Sequence, residues 1–376
     1  MKTGRILVAV LLLAVSLLLI SGLGKCFHIP LPTDHGNQAI TLPLVANVRV
    51  PATKEAITVT QGFGRYDLYL TDVAGGKIQK VNWRTGSLGN WSALDPTGCS
   101  PLEPHIVSIA AMKTAEQLLV QNCGRIELLD KDSLIPIRVI ADSKERALYG
   151  FSLSPDERFL LVSVKTGARQ SILVYRTMDW TLVREWDLGN GLLTPDDRTL
   201  VTTFARRKNP SSFAADECGF RLYDAGSGHE VSEFVRSAKE NEDICPDFPG
   251  PFVPGQPHRI ITTDSLRGGI SVWDLNDGAL IQHLVSKPRT LGPPPTVESL
   301  SVSSDGQLAA VVTSRREWGQ EWGLTIWDLA TGKNAYEVSL ERQGDPILGA
   351  YFCEDSNNVA FIRPNRVEVY EYRLTK

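Results

Sequence analysis

The sequence predicts an all-β fold: a seven-bladed β-propeller of four-stranded antiparallel blades, preceded by an N-terminal hydrophobic helix. Three observations carry this. Segments ending in an aromatic or apolar residue and a polar one recur as QKVN (79–82), ELLD (127–130), LVYR (173–176), RLYD (221–224), SVWD (271–274), TIWD (325–328) and VEVYE (367–371). Their last residues, Asn82, Asp130, Arg176, Asp224, Asp274, Asp328 and Glu371, are spaced by 48, 46, 48, 50, 54 and 43 positions. A period in the forties marks four-stranded propeller blades. Second, a turn leading into an apolar run precedes most of these positions, as in LSPDERFLLVS (153–163), LTPDDRTLVTT (193–203), VPGQPHRIITT (253–263), VSSDGQLAAVV (302–312) and FCEDSNNVAFI (352–362). Third, RTGS, MDWT, GSGH, NDGA and ATGK follow the aromatic-acid column and turn the chain into an outer strand. Pro, Asp and Gly supply the backbone angles of tight hairpins.

In chain order, the first element is residues 6–24, which carry no charge, with Lys2 and Arg5 before them and Lys25 after. A basic start and an apolar stretch read as a secretory signal. Gly22 and Gly24 offer small residues for cleavage. An uncleaved anchor also stands, since 19 uncharged residues can just span a bilayer core. A lipoprotein signal ending at Cys26 is a third reading, with Lys25 where a small residue is wanted. All three export residues 26–376. Residues 25–39 are then a polar linker, and 40–376 the propeller. The strand-like run 40–50 (ITLPLVANVRV) is expected to supply the outer strand of the last blade, because sharing a blade between the chain ends removes exposed edges. The blades are expected at 56–91, 105–140, 148–187, 190–234, 252–284, 297–338 and 347–373.

The SPDER, TPDDR and SSDGQ turns and the VWD and IWD strand ends resemble those of WD-repeat and YVTN-type propellers, over residues 56–376. In the repeated strand-end column the literal Trp-Asp pair is kept only at Trp273-Asp274 and Trp327-Asp328. The Gly-His pair that opens many WD repeats is missing, since Gly228-His229 falls in a different turn.

Composition narrows the function. The 376 residues are 42% hydrophobic and 22% charged, with a net charge of -4, so the chain is globular and lacks the basic footprint of a nucleic-acid binder. The six histidines form no H-x-x-H or H-E-x-x-H pattern, and no C-x-x-C occurs, so no metal or other cofactor is indicated. His105, ahead of an inner strand near the channel rim, reads as structural before it reads as a ligand. No nucleophile elbow, P-loop or dinucleotide fingerprint occurs. Asn90-Trp91-Ser92 is a formal glycosylation sequon.

Alternating strands put the B–C hairpins and the links between blades on one face. The long connections 204–218, 235–251, 285–296 and 314–323 all fall there. Loops grown on one face of a rigid scaffold carry function. Candidate binding residues are Arg206, Arg207 and Lys208 in one loop and Arg315, Arg316, Trp318 and Trp322 in another, Arg and Trp being common interface anchors. The two tryptophans could equally pin their own loop. Cys99 and Cys123, and Cys218 and Cys245, are expected to pair on this same face in an oxidising compartment; four free thiols in a reducing one is the rival. Cys353 reads as a small buried hydrophobe.

The expected function is a non-enzymatic, extracytoplasmic platform for a protein, peptide or glycan partner, touching the membrane only through the N-terminal segment. The alternative is a lactonase-like or quinoprotein-like enzyme with its site at the central channel, as exported propellers of those kinds imply.

Overall fold

The computed structural model describes residues 40–50, 57–62, 66–72, 76–95, 106–142, 146–167, 169–206, 216–237, 244–246, 249–264, 268–285, 295–315, 321–339, 346–353 and 357–374. The expected N-terminal helix and linker lie outside them. Among the described residues no helix is long and apolar enough to cross a membrane.

Seven antiparallel sheets follow one another along the chain, each running from an inner strand A to an outer strand D. Blade 2 is typical, with strands Ile106–Met112, Gln117–Asn122, Arg125–Asp130 and Pro136–Asp142. Blade 1 departs from the pattern. Its outer strand is broken into Ser87–Leu88 and Ser92–Ala93, so the blade runs past residue 91. Blade 7 takes its inner three strands from Gly349–Phe352, Asn358–Arg363 and Arg366–Glu371. Its outer strand is Leu44–Arg49, antiparallel to Arg366–Glu371 with Val48 opposite Val367. Ile40–Thr41 adds a short pairing with Arg373–Leu374.

The core is segmented like the sheet. Seven buried apolar clusters each fill one interface between consecutive blades. The one between blades 7 and 1 joins Val48, Val50, Val367 and Val369 to Leu68, Leu70, Val81 and Trp83, so the two ends of the chain seal the ring with the same chemistry as every other joint. Each fully buried Val or Leu contributes about 1.5–3 kcal/mol to such a joint.

The repeated acids are turn formers. At the A–B turn of blade 3, Asp156 accepts from Ser154 Oγ at 2.9 Å and from the Arg158 amide at 3.0 Å, while Ser154 Oγ accepts from the Phe159 amide at 2.9 Å. Thr194 and Asp196 repeat this in blade 4, and Ser303 and Asp305 in blade 6. The left-handed position of the three turns is filled by Glu157, Asp197 and Gly306. In the C–D turns, Asp130 accepts from the Ser133 amide at 2.8 Å and Asp328 from the Ala330 amide at 2.8 Å. These bonds to the charged form hold the carboxyl of Asp130 below its ordinary range, the Ser133 amide contributing most.

Candidate functional site

The loop-bearing face is built from the ends of B and C strands. In blade 4, Thr199–Arg206 and Glu217–Asp224 stay paired out to Arg206 opposite Glu217. In blade 6, Leu308–Arg315 and Glu321–Asp328 stay paired out to Arg315 opposite Glu321. The expected loops 204–218 and 314–323 were therefore too long. Apolar alternation fades before the backbone ladder ends at Arg206 and Glu217 in blade 4 and at Arg315 and Glu321 in blade 6.

This changes the setting of three of the seven candidate residues. Arg206 is at a strand end, not in a loop. Its guanidinium lies 4.6 Å over the Phe204 ring, 3.7 Å from Glu217, and hydrogen-bonded to Glu233. Arg221 lies 4.8 Å over the same ring and donates to Glu233 at 2.7 Å. Arg221 first, then Arg206, hold the Glu233 carboxyl below its usual range. Arg206 thus belongs to a cation–aromatic–carboxylate cluster on the flank of blade 4. Arg315 is equally a strand residue; its side chain is 9% exposed and 3.7 Å from Glu321. Trp322 faces Ser314 in the ladder and packs, partly buried, on the cluster between blades 6 and 7. Arg207, Lys208, Arg316 and Trp318 lie outside the described residues. Arg206 and Arg315 sit on blades 4 and 6, with blade 5 between them.

A disulfide joins Cys218 to Cys245, with Cα atoms 5.6 Å apart. Cys218 is fully buried at the root of the blade 4 hairpin, and Cys245 belongs to the link into blade 5. The bond staples that link to the face. Cys123 caps the B–C hairpin of blade 2 with φ of 53° and is also disulfide-bonded. Cys99, its expected partner, lies outside the described residues. Asn122, beside it, donates to the Asp95 carbonyl at 2.9 Å and so ties the hairpin to the preceding link. Cys353 is a buried thiol in the joint between blades 7 and 1, and burial pushes its pKa up to about 12.

Blade 5 holds two polar side-chain pairs that sequence reading missed. Trp273 Nε1 donates to Thr262 Oγ1 at 2.8 Å, wholly buried. His283 Nε2 lies 3.0 Å from the buried carboxylate of Asp264. One pair joins strand B to strand C and the other strand B to strand D. Their only sequence signal was the Trp-Asp pair of SVWD, because Asp264 and His283 are 19 residues apart and meet only in the folded blade. Among the described residues no group of three or more His, Cys, Asp or Glu is placed to hold a metal ion. His105 lies outside them.

No family model matches the sequence, and no curated protein matches it. Among solved structures, the chain is similar to Raptor from Chaetomium thermophilum, with a TM-score of 0.61 at 15% identity over 87% of this chain. The chain spans 29% of the length of Raptor. At that identity the likeness carries the propeller fold alone.

Proposed function

We propose that the chain is an extracytoplasmic, non-enzymatic propeller that binds a protein, peptide or glycan partner through its loop-bearing face. The observation that carries this reading is the Cys218–Cys245 bond, which anchors a long interblade link to the root of the longest hairpin on that face. A stapled loop loses less entropy when it meets a partner. Disulfides persist mainly in oxidising compartments, which supports export behind the apolar leader. The basic and aromatic residues proposed to meet a partner are Arg207, Lys208, Arg316 and Trp318, which follow the paired strand ends Arg206 and Arg315 in sequence. Arg206, Arg315 and Trp322 act as supports, because the two arginines are engaged within their own blades and Trp322 packs on the joint between blades 6 and 7.

The test uses the full-length chain on random-peptide and glycan arrays. Wild-type protein should retain a discrete set of ligands, and a variant with Arg207, Lys208, Arg316 and Trp318 all changed to Ser should lose them. Hydrolysis of a lactone or phosphoester by the chain, untouched by those four substitutions, would replace this reading with an enzyme acting at the channel.

A further inference from the structure

The opposite face, with its short turns, has a feature the loop-bearing face does not explain. Between blades 2 and 3, at the rim, a cleft of about 660 Å³ opens where the A–B turn of blade 2 meets the A–B and C–D turns of blade 3. Met112, Leu128, Ile137, Met178 and Trp180 supply its apolar lining. Two of these side chains are strongly exposed, Met178 at 84% and Ile137 at 53%. Single exposed hydrophobes need no explanation, but a contiguous group at a concave site does. The volume suits several side chains of a bound segment.

The charges lining the cleft are unequal in what they leave open. Asp156 accepts from Ser154, from the Arg158 amide and from the Arg158 guanidinium. Glu157 accepts from the amides of Lys113 and Thr114, both at 2.8 Å, and from the Thr114 hydroxyl at 2.6 Å, clamping one blade's turn to the next. Arg158 is shared between Asp156 and Asp197. Arg138 differs. It is exposed on outer strand Pro136–Asp142, and its guanidinium makes one long bond, 3.5 Å, to the Asp179 carbonyl. Among the described residues it has no carboxylate partner. The Asp179 carboxylate beside it is taken up by Arg176 and Thr181.

We propose that this cleft docks a short acidic, apolar segment of a partner protein. Its apolar side chains fill the space between Ile137 and Met178, and a carboxylate meets Arg138. A second copy of this chain is not the occupant proposed, and its association is one of the outcomes the test distinguishes. This surface is separate from the loop-bearing face, and either assignment can fail without the other.

Two fluorescein-labelled nine-residue peptides test it by anisotropy with the full-length chain, one alternating Leu and Glu, the other Leu and Lys. The Leu/Glu peptide should bind saturably and at least about tenfold tighter than the Leu/Lys peptide. Met178→Glu should weaken Leu/Glu binding about tenfold or more, and Arg138→Glu should reverse the preference. Both side chains are exposed, so unchanged thermal unfolding confirms that the variants fold. The variant with Arg207, Lys208, Arg316 and Trp318 all changed to Ser should bind the Leu/Glu peptide as wild type does. Equal binding of the two peptides, no saturable binding, or indifference to both cleft substitutions would overturn the proposal. So would a dimer of this chain, or binding to phosphatidylcholine vesicles, that Met178→Glu abolishes.

Discussion

Replacing Asp197 by Asn should make the propeller more stable at pH 8 and remove much of its pH dependence. Asp197 occupies the left-handed position of the blade 4 A–B turn, with φ of 57°, and is 7% exposed. Its neighbours are Arg158, at 3.3 Å, and Asp156 of blade 3. Burial first, then the hydrogen bond and charge of Asp156, raise its pKa to about 7 from 3.8. The hydrogen bond with Asp197 lowers that of Asp156. The two carboxyls therefore share one proton, and their titrations belong to the pair. The folded pair keeps that proton up to about pH 7, whereas the unfolded chain releases both protons near pH 4. Between these values the native state binds more protons, so stability falls as pH rises through the window and is lowest above it. A shift of this size corresponds to a ceiling of roughly 4 kcal/mol between pH 4 and pH 8. Asn tolerates the left-handed backbone and can donate permanently to Asp156. Guanidinium unfolding of wild type and Asp197→Asn at pH 5 and pH 8, disulfides intact, checks it. The wild type should lose at most about 2.5 kcal/mol over that step and the variant less than about half as much. Parallel pH dependence in the two proteins would refute the shared proton.

Two further predictions follow from blade 4. A Cβ on Gly219 would sit 1.8 Å from the Phe234 carbonyl oxygen, which is backbone of the outer strand. Gly219→Ala should force those strands apart and lower the unfolding free energy by about 3 kcal/mol, read as a drop in melting temperature. Cys218→Ser with Cys245→Ser opens a loop of 27 residues and should cost about 3.5 kcal/mol by chain entropy, read as a drop in melting temperature, and a thiol reductant should lower the wild-type melting temperature further because it also opens the bond at Cys123.

How much of this was legible follows from where each signal resides. The seven blades were readable because a blade repeats its local chemistry. Each needs one aromatic-acid strand end and one tight turn, and both leave residues at a fixed period. The turn roles of Asp156, Asp196 and Asp305 were readable for the same reason, since an acid bonding to its own turn needs only neighbours in sequence. The Cys218–Cys245 pair was readable from topology once the two positions fell on one face. The loop limits were not. A strand end built of polar residues shows no apolar alternation while keeping its backbone bonds, which hid the extension to Arg206 and Arg315.

The sequence by itself determined the period, and with it the number of blades, their order and the face on which the long connections emerge. Tertiary structure alone decided the register of Leu44–Arg49 against Arg366–Glu371, the engagement of Arg206 with Phe204 and Glu233, the pairing of Asp264 with His283, the proton shared by Asp156 and Asp197, and the cleft between blades 2 and 3. The physical reason is one of distance. Repeat chemistry is satisfied within a turn or a hairpin and so is written locally. A buried charge or an interblade cleft depends on how far apart two sheets stand at the rim, which no single blade encodes.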